Sequence, residues 1–435
     1  MKNKSSLSDW LIYIEQAHTK EIDMGLSRTI DLIKRLSIDF SSQTVVTVGG
    51  TNGKGTTCAL IEQVCLKAGL SVGVYSSPHL VSFCERIRLN GELIDEVELC
   101  AIFEKIDIAR QNTPLTYFEF ATLAALKAFS DHNFDLVILE VGLGGRLDAV
   151  NAINTDIAVI TSIGLDHQGW LGDTKEKIAY EKAGIFRANK PAIIGEPQAQ
   201  KSMLDHAIKI GAQLILKGQH FIFDEEKNRV EIQGHMFSVK DTKLPKQNVS
   251  TALATINAIS NNLSNEFTFL IPETDVQAVI DRTQVAGRHH VIREHKDNKH
   301  CAIILDVAHN EDSSLQLSRL IRTYRFNTCH IVVGMLKDKN VEISLRAFEK
   351  LNVHWYCASL PTKRGENAAR LVNALQTPAD EKRDSARSKS SVILAFSDVK
   401  SAYIQALKDA QADDIILVMG SFLTVAAVLE YHASA

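Results

Sequence analysis

Short apolar runs alternate with amphipathic stretches along the first half of the chain. The apolar runs show no regular alternation of polar and apolar positions, which is typical of parallel strands covered by helices on both faces. Between some of these runs, apolar residues recur at helical spacing. The pattern predicts strands at 45–48, 72–75, 136–141, 157–163 and 192–195, and helices at 57–69 and 117–130.

The second half shows the same alternation of apolar runs and helical patterns. Because strands and helices alternate in both halves, each half is expected to form an α/β domain, and the first is expected to be doubly wound. The strands predicted for the second half are 302–307, 330–334, 392–396 and 415–419, and the helices are 313–324 and 401–410.

Three further segments bear on the domain organisation. Residues 221–239 alternate in polarity and are charged, which favours a β-hairpin. Residues 272–288 are expected to carry a helix and then the boundary, so that the two domains span 1–286 and 287–435. Residues 377–391 are rich in charge and serine, and they predict a mobile loop.

Composition narrows the class of protein. The 435 residues suffice for two or three domains of about 150 residues each. The net charge of −4 argues against nucleic acid as the main partner, since phosphate backbones require a surplus of Lys and Arg. The 7 cysteines are odd in number and show no C-x-x-C spacing, so they indicate reduced thiols rather than disulfides or zinc. Without a signal-peptide core or a long apolar run, we expect a cytoplasmic protein that does not enter the membrane.

The strongest local signal is the glycine-rich segment 45–57, which reads VVTVGGTNGKGTT between a predicted strand and a predicted helix. Glycines allow a tight turn that brings backbone N–H groups to phosphate oxygens, and the helix N-terminus adds a favourable dipole. Lys54 can pair with the β- and γ-phosphates, and Thr56 or Thr57 can offer a hydroxyl to Mg²⁺. The common phosphate-loop pattern is broken because Gly55 follows the lysine, so a plain glycine-rich turn is the alternative. Nucleotide binding is the favoured interpretation.

Acidic and imidazole side chains follow neighbouring predicted strands. Glu140 lies at the end of strand 136–141, and Asp166 and His167 follow strand 157–163. Ligands of open α/β sheets bind outside the carboxyl ends of the strands, where a carboxylate can hold Mg²⁺. Histidine is an unusual ligand of Mg²⁺, so Mn²⁺ is expected to substitute. The alternatives are a strand-end cap for Glu140 and a structural role for His167.

Other polar positions leave two interpretations open. The residues alone predict that Lys182 is a solvated lysine at a helix end. Ser77 belongs either to a plain turn or to a metal site that its hydroxyl faces. Asp306 lies at the end of predicted strand 302–307, His309 follows that strand, and Arg288 precedes it. Beside a nucleotide fold, these three residues suggest a second domain that closes over ATP.

Together these motifs resemble the bifunctional dihydrofolate synthases/folylpolyglutamate synthases of bacteria, in the Mur ligase superfamily. The resemblance covers nearly the whole chain, and Gly-Lys-Gly-Thr is the form of the phosphate loop in this family. It implies a doubly wound, P-loop ATPase-like N-terminal domain and a smaller, Rossmann-like α/β C-terminal domain. The segments that carry it are 10–11, 22–26, 50–57, 75–80, 115–119, 140–151, 162–167, 181–187, 287–288, 306–310, 334–338 and 420–422.

The resemblance also implies residue roles. ATP phosphates would lie on Gly53, Lys54, Gly55 and Thr56, and further nucleotide contacts would come from Asn248, Arg288 and Asp306. Two Mg²⁺ ions would be held by Ser77, Glu140 and His167, and Lys182 would be carbamylated. The pterin pocket would comprise Asp23, Met24, Gly25, Thr116, Leu147, Asp148 and Ala149. We nominate His309 for glutamate handling or proton transfer.

The implied activity belongs to folate biosynthesis. 7,8-Dihydropteroate would be joined to L-glutamate, and reduced folates would gain further glutamates, each through an acyl phosphate made with ATP. The expected state is a monomer. One rival is a ligase of a cell-wall nucleotide peptide, but the residues before the phosphate loop are too few for its extra domain. The others are a monofunctional folylpolyglutamate synthase, against which 23–25 and Thr116 argue, and a regulatory module without catalysis.

Overall fold

The structure is a computed structural model that describes residues 4, 6–20, 22–240, 242–264, 270–296, 299–377 and 392–434. Contacts divide the chain into two compact units. The first unit is Met1–Gly164 with Gln168–Thr283, and the second is Leu165–His167 with Gln284–Ala435. Most of the predicted mobile loop, residues 378–391, lies outside the described residues.

An eight-stranded sheet organises the first unit, in the order β4-β3-β2-β5-β1-β6-β7-β8. In the spatial order β2-β5-β1-β6-β7-β8, all neighbouring strands are parallel, whereas β3 and β4 form an antiparallel edge beside β2. The central strands are buried on both faces, which explains their uninterrupted apolar runs. The strands are β1 Thr44–Gly49, β2 Val72–Tyr75, β3 Ile87–Leu89, β4 Glu92–Leu93, β5 Leu136–Glu140, β6 Ile157–Ile160, β7 Pro191–Ile194 and β8 Gln213–Leu216.

Helices cover this sheet, and a large apolar core lies between the sheet and several of them. Local capping fixes several helix starts: a side chain at each of positions 6, 95, 116 and 174 accepts a hydrogen bond from the first turn of the helix that follows. The helices are α1 Leu7–Glu15, α2 Ser27–Arg35, α3 Lys54–Lys67, α4 Glu96–Arg110, α5 Tyr117–His132, α6 Gln168–Leu171, α7 Lys175–Ala183, α8 Lys201–Ile210, α9 Lys246–Ser264 and α10 Glu273–Arg282, with 3₁₀ turns at Phe83–Arg86 and Ala149–Ala152.

The predicted hairpin at 221–239 is a three-stranded antiparallel sheet instead, in the order β11-β10-β9. Its strands are β9 Phe221–Asp224, β10 Arg229–Ile232 and β11 His235–Ser238. Two turns divide the alternating run, because Asn228, Gln233 and Gly234 all adopt positive φ. The prediction of a two-stranded hairpin was therefore wrong in the number of strands. The alternation of polarity correctly indicated antiparallel pairing.

A six-stranded sheet forms the second unit, in the order β12-β13-β17-β14-β15-β16, and only the β12–β13 pair is antiparallel. A separate apolar core lies between this sheet and its helices. The strands are β12 His290–Lys296, β13 Lys299–Leu305, β14 Cys329–Val333, β15 Val353–Ala358, β16 Ile393–Phe396 and β17 Ile415–Met419, and the helices are α11 Glu311–Ile321, α12 Val341–Arg346, α13 Ala368–Gln376, α14 Val399–Asp409 and α15 Phe422–Ala433.

Within the described ranges, none of these helices is both long enough and apolar enough to cross a membrane.

Candidate active site

The glycine-rich segment connects β1 to α3 at the carboxyl edge of the large sheet. Gly50 has φ +142° and Gly53, the residue before α3, has φ +90°, conformations that favour glycine. A Cβ on Gly50 would overlap the hydroxyl of Thr161, which follows β6. That hydroxyl donates a hydrogen bond to the Asn52 carbonyl over 2.6 Å, so the end of β6 fixes the loop.

Two lysine side chains converge on one carbonyl oxygen of this loop. Lys54 Nζ donates to the Gly50 carbonyl over 3.0 Å, and Lys182 Nζ donates to the same oxygen over 2.9 Å. Two cations beside one oxygen concentrate positive potential at the helix N-terminus, which suits a polyphosphate.

Lys182 is not the solvated helix-end lysine that the residues alone predict. It is the penultimate residue of α7 and is only 5% exposed. A buried lysine requires compensation for its lost hydration, and the loop carbonyl supplies part of it. The structure therefore joins Lys182 to the phosphate loop through a hydrogen bond.

Hydroxyl and amide groups complete this part of the site. Asn248, near the start of α9, donates to Thr56 Oγ1 over 2.6 Å, and Thr56 donates to the Gly53 carbonyl over 2.9 Å. The hydroxyl of Thr57 is buried and has no hydrogen-bond partner in the described part of the chain. A buried hydroxyl without a partner is costly, and Thr57 lies in the first turn of α3, where a bound phosphate or divalent ion could supply one.

Glu140 and Ser77 lie together beside the phosphate loop. Glu140 pairs with Val48 across β5 and β1, and it is 2% exposed. The backbone N–H of Ser77, just after β2, donates to the Glu140 carboxylate over 3.3 Å. Two oxygen-bearing side chains at this edge have the hard donor chemistry that Mg²⁺ prefers. His167, the third predicted ligand, groups with the second unit.

Among the described residues, no group of three or more His, Cys, Asp or Glu side chains is placed to hold a metal ion. The predicted set of Ser77, Glu140, His167 and Lys182 does not require such a group, because it includes a hydroxyl and a modified lysine.

Arg88 is a residue near this edge that the sequence analysis missed. On β3, it forms a partly buried ion pair with Glu62 of α3, with Nη2 and Oε2 2.8 Å apart, and its Nη1 donates to Ser76 Oγ over 3.0 Å. The carboxylate of Glu62 raises the pKa of Arg88 against the opposing effect of burial. The sequence contains a signal for such a pair, because Glu62 interrupts the apolar run of α3 and a charge at such a position requires a partner.

A second cluster connects two of the predicted pterin residues. Arg28 Nη1 donates to the Asp23 carboxylate over 2.5 Å, and Arg28 Nε donates to Glu119 over 3.0 Å. Glu119 in turn accepts hydrogen bonds from both the N–H and the hydroxyl of Thr116, the capping residue of α5. Hydrogen bonds from Lys20 and Arg28 lower the pKa of Asp23.

The other predicted pterin residues adjoin the loop after β5. A Cβ on Gly144 would lie 2.9 Å from Leu171 Cδ2 and 3.7 Å from Met24 Cε, so Met24 reaches this loop. Asp148 accepts hydrogen bonds from the N–H groups of Leu143 over 2.8 Å and Val150 over 3.0 Å. Burial raises the pKa of Asp148 to about 6, even though these bonds favour the ionised form. Leu147 and Ala149 flank it.

The remaining predicted residues belong to the second unit. Asp306 accepts hydrogen bonds from the N–H groups of His289 and Ala308, both over 2.9 Å, and burial raises its pKa. Arg288 lies over the ring of Phe422 with 5.8 Å between its Cζ and the ring centroid. His309 donates from Nδ1 to the Val307 carbonyl over 2.7 Å, which leaves Nε2 directed at Asp166, 3.4 Å away.

Two segments of the chain match domains of known proteins. Residues 48–265 match the Mur ligase middle domain, and residues 287–422 match the Mur ligase, glutamate ligase domain. These two matches, with the phosphate loop and the paired α/β units, define the chain as a Mur-type ligase.

Relatives narrow the class further. The dihydrofolate synthase/folylpolyglutamate synthase of Escherichia coli (strain K12) is 39% identical over 430 residues, covering 98% of this chain and 95% of that protein. A solved structure of E. coli FolC in complex with DHPP and ADP is 38% identical, with a TM-score of 0.88, and covers 99% of this chain and 98% of its own. A bifunctional folylpolyglutamate synthase/dihydrofolate synthase with Mn, AMPPNP and L-glutamate bound has a TM-score of 0.86 at 38% identity and the same coverage.

The chain belongs to the dihydrofolate synthase/folylpolyglutamate synthase family.

Proposed function

We propose that this protein is an ATP-dependent ligase with two reactions in folate biosynthesis. The first adds L-glutamate to 7,8-dihydropteroate and gives dihydrofolate, and the second adds further glutamates to reduced folates. The observation that carries the proposal is the pair of lysines, Lys54 and Lys182, on one carbonyl of the phosphate loop, in a chain that matches bifunctional relatives over 98% of its length.

The chemical task is to make a carboxylate electrophilic. A carboxylate oxygen of the pterin substrate attacks the γ-phosphorus of ATP, and ADP leaves, so an acyl phosphate forms. The amine of glutamate then attacks the acyl carbon, loses a proton, and displaces phosphate as the amide forms. The loop residues Gly53, Gly55 and Thr56 bind the triphosphate through backbone and hydroxyl groups, and Lys54 opposes the charge on the transferred group.

The divalent-ion site is part of this proposal. Ser77, Glu140 and His167 would hold the ions, and Lys182 would join them as a carbamate, an anion in place of a cation. The hydrogen-bonded position of Glu140 beside the loop and the buried position of Lys182 support this assignment. Bound Mg²⁺, or Mn²⁺ in its place, would supply charge neutralisation and polarise the phosphoryl group. The solved relative that carries Mn and AMPPNP supports the choice of metal.

Further assignments extend the proposal to the rest of the chain. The domain of residues 1–286 binds ATP and pterin, and the domain of 287–435 is the glutamate-ligase domain. Asn248, Arg288 and Asp306 contact the nucleotide, and His309 handles glutamate or its proton. The protein acts in the cytoplasm as a monomer. Support comes from the match of 287–422 to the glutamate ligase domain and from the solved relatives that bind DHPP, ADP and L-glutamate.

A turnover assay tests the function. Purified protein is given ATP and Mg²⁺ with 7,8-dihydropteroate or with tetrahydrofolate, each with and without L-glutamate. We expect phosphate release that requires both organic substrates. Lys54→Ala and Glu140→Ala are each expected to lower kcat at least about 100-fold, because each removes charge stabilisation of the phosphoryl transfer.

The control for these variants is Lys67→Ala, which removes a lysine from the far end of the same helix α3. It should retain wild-type turnover. Depletion of dissolved bicarbonate should lower the turnover of the wild-type protein if Lys182 is carbamylated. Glutamate-dependent turnover with tetrahydrofolate but not with 7,8-dihydropteroate would identify a monofunctional enzyme. Wild-type activity in Lys54→Ala or in Glu140→Ala would refute the assigned site.

A further inference from the structure

Three segments assigned to the pterin pocket come from distant parts of the first unit, and a network of side chains connects them. Residues 23–25 lie between α1 and α2, outside any helix or strand. Thr116 caps α5. Residues 147–149 follow the glycine-rich loop after β5. A pocket built from such separate segments requires contacts that hold them in register.

Arg28 provides the contact between the first two segments. It is the second residue of α2, and its guanidinium is directed back toward residues 23–25. Nη1 donates to the Asp23 carboxylate, and Nη2 donates to the Asp23 backbone carbonyl over 2.7 Å. Because the backbone itself is bonded, Arg28 fixes the course of the segment as well as one side chain.

The third nitrogen of Arg28 binds the start of α5. Nε donates to Glu119 Oε1 over 3.0 Å, while Glu119 Oε2 accepts the N–H and hydroxyl of Thr116 over 2.8 and 2.9 Å. The Glu119 side chain is 4% exposed and the Arg28 side chain is 23% exposed. A planar guanidinium can serve two carboxylates and a carbonyl at once, which a lysine ammonium on a flexible stem cannot do in the same geometry.

The third segment is joined to the other two by packing. A Cβ on Gly142 would overlap the ring of Phe118, in the first turn of α5, so this turn lies against the loop that leads to 147–149. Met24 reaches Gly144 of the same loop. Arg28 therefore connects the first two segments, and Phe118 and Met24 of these segments pack against the third.

We propose that Arg28 is a positioning residue for pterin binding, which acts by holding residues 23–25 against the Thr116–Glu119 cap of α5. The inference rests on the proposed function, since it concerns the pterin substrate of that reaction. The contacts of Arg28 with Asp23 and Glu119 are separate from those that hold the phosphate loop. Its loss should weaken the binding of pterin substrates and leave ATP binding unchanged.

Steady-state kinetics of Arg28→Met and Arg28→Lys test the proposal, with 7,8-dihydropteroate, tetrahydrofolate and ATP varied in turn. Arg28→Met should raise the KM for both pterin substrates about tenfold or more, with the KM for ATP within about twofold of wild type. Arg28→Lys keeps the charge but loses some of the N–H donors of the guanidinium. Its KM for the pterin substrates should therefore lie between those of the wild type and Arg28→Met. A matched control is Arg35→Met, on the same helix, whose side chain is 37% exposed and pairs with Asp31.

Two results would overturn the proposal. One is an unchanged KM for both pterins in Arg28→Met, even if its melting temperature falls, because that describes a purely structural arginine. The other is an equal rise in the KM for ATP. If Arg28→Met does not fold, Arg28→Lys carries the same comparison. Failure of the proposed function itself is distinct, because the wild-type protein would then show no turnover with either pterin.

Discussion

At the scale of single residues, charged side chains of the first unit are compensated in different ways. Arg88 and Glu62 neutralise each other, so that their burial is compensated within the fold. Lys54 and Lys182 both donate to the Gly50 carbonyl oxygen of the phosphate loop. As ammonium groups, these two side chains favour the binding of an anion, and carbamylation would convert Lys182 into a ligand for a metal ion.

Lys217 is a buried lysine outside this site, and it predicts a pH dependence of stability. It is 8% exposed and donates to Gln247 over 2.7 Å, and burial lowers its pKa to about 8. In the unfolded chain the lysine pKa is about 10.4, so between these pH values only the unfolded state keeps the proton. The free energy of unfolding should therefore rise by about 3 kcal/mol as pH increases through this window.

Urea unfolding of wild type and Lys217→Met at about pH 8 and pH 10 measures about two thirds of this rise. The rise should be lost in Lys217→Met, because no proton remains to be released at that position. Lys201→Met, at an exposed lysine of α8, should keep it. Equal pH dependence in wild type and Lys217→Met would contradict the assigned burial.

The two lysines 54 and 182 also show what the sequence could predict at this scale. Lys54 was predicted from local information, since glycines, strand and helix lie within a few residues of it. Lys182 was predicted as solvated, because its partner Gly50 is 132 residues away and only the folded sheet brings them together. Only the family resemblance associated it with the site. Arg28 and Arg88 were missed for the same physical reason, since their partners lie on other elements.

At the scale of elements, the strands were predictable where burial on both faces removed polar positions. Predicted strand 415–419 is observed as Ile415–Met419, and 45–48 is extended by one residue at each end to Thr44–Gly49. β15 was missed, because His354 interrupts its apolar run. The antiparallel edge strands β3 and β4 were missed because they are short and partly exposed. The two turns that divide residues 221–239 into three strands depend on positive φ at Asn228 and Gln233, which the composition does not reveal.

The turn between β1 and α3 provides a prediction for an element. Gly50→Ala would force a side chain into a left-handed backbone and against the Thr161 hydroxyl, which itself holds the loop. We expect the affinity for an ATP analogue to fall at least about tenfold, with a loss of stability of about 1–3 kcal/mol from backbone strain. Isothermal titration calorimetry and urea unfolding measure the two quantities.

Gly69→Ala is the matched control for this prediction. Gly69 also has positive φ, +83°, but a Cβ there would meet no atom within 4 Å. It should lose stability through strain alone and bind the ATP analogue as wild type does. If both variants lost affinity equally, general strain rather than the shape of the phosphate loop would be the cause.

At the scale of the whole molecule, the two largest sheets of the described residues, with eight and six strands, belong to different units, and each packs against an apolar core. Each core is formed entirely by residues of one unit. A unit with its own sheet and core is expected to fold independently. We therefore predict that fragments 1–283 and 284–435 each fold, with a cooperative thermal transition followed by circular dichroism, and that neither shows ligase turnover alone.

Nucleotide titration of the two fragments sharpens this prediction. The loop residues Gly50 and Lys54, with Lys182 and Glu140, all belong to the first unit, so fragment 1–283 should bind an ATP analogue measurably. Its affinity should be lower than that of the full chain, because Arg288 and Asp306 are assigned to the nucleotide and are absent from it. Binding by 284–435 alone, or a first fragment without a cooperative transition, would contradict the assignment of the phosphate site to an independently folded first unit.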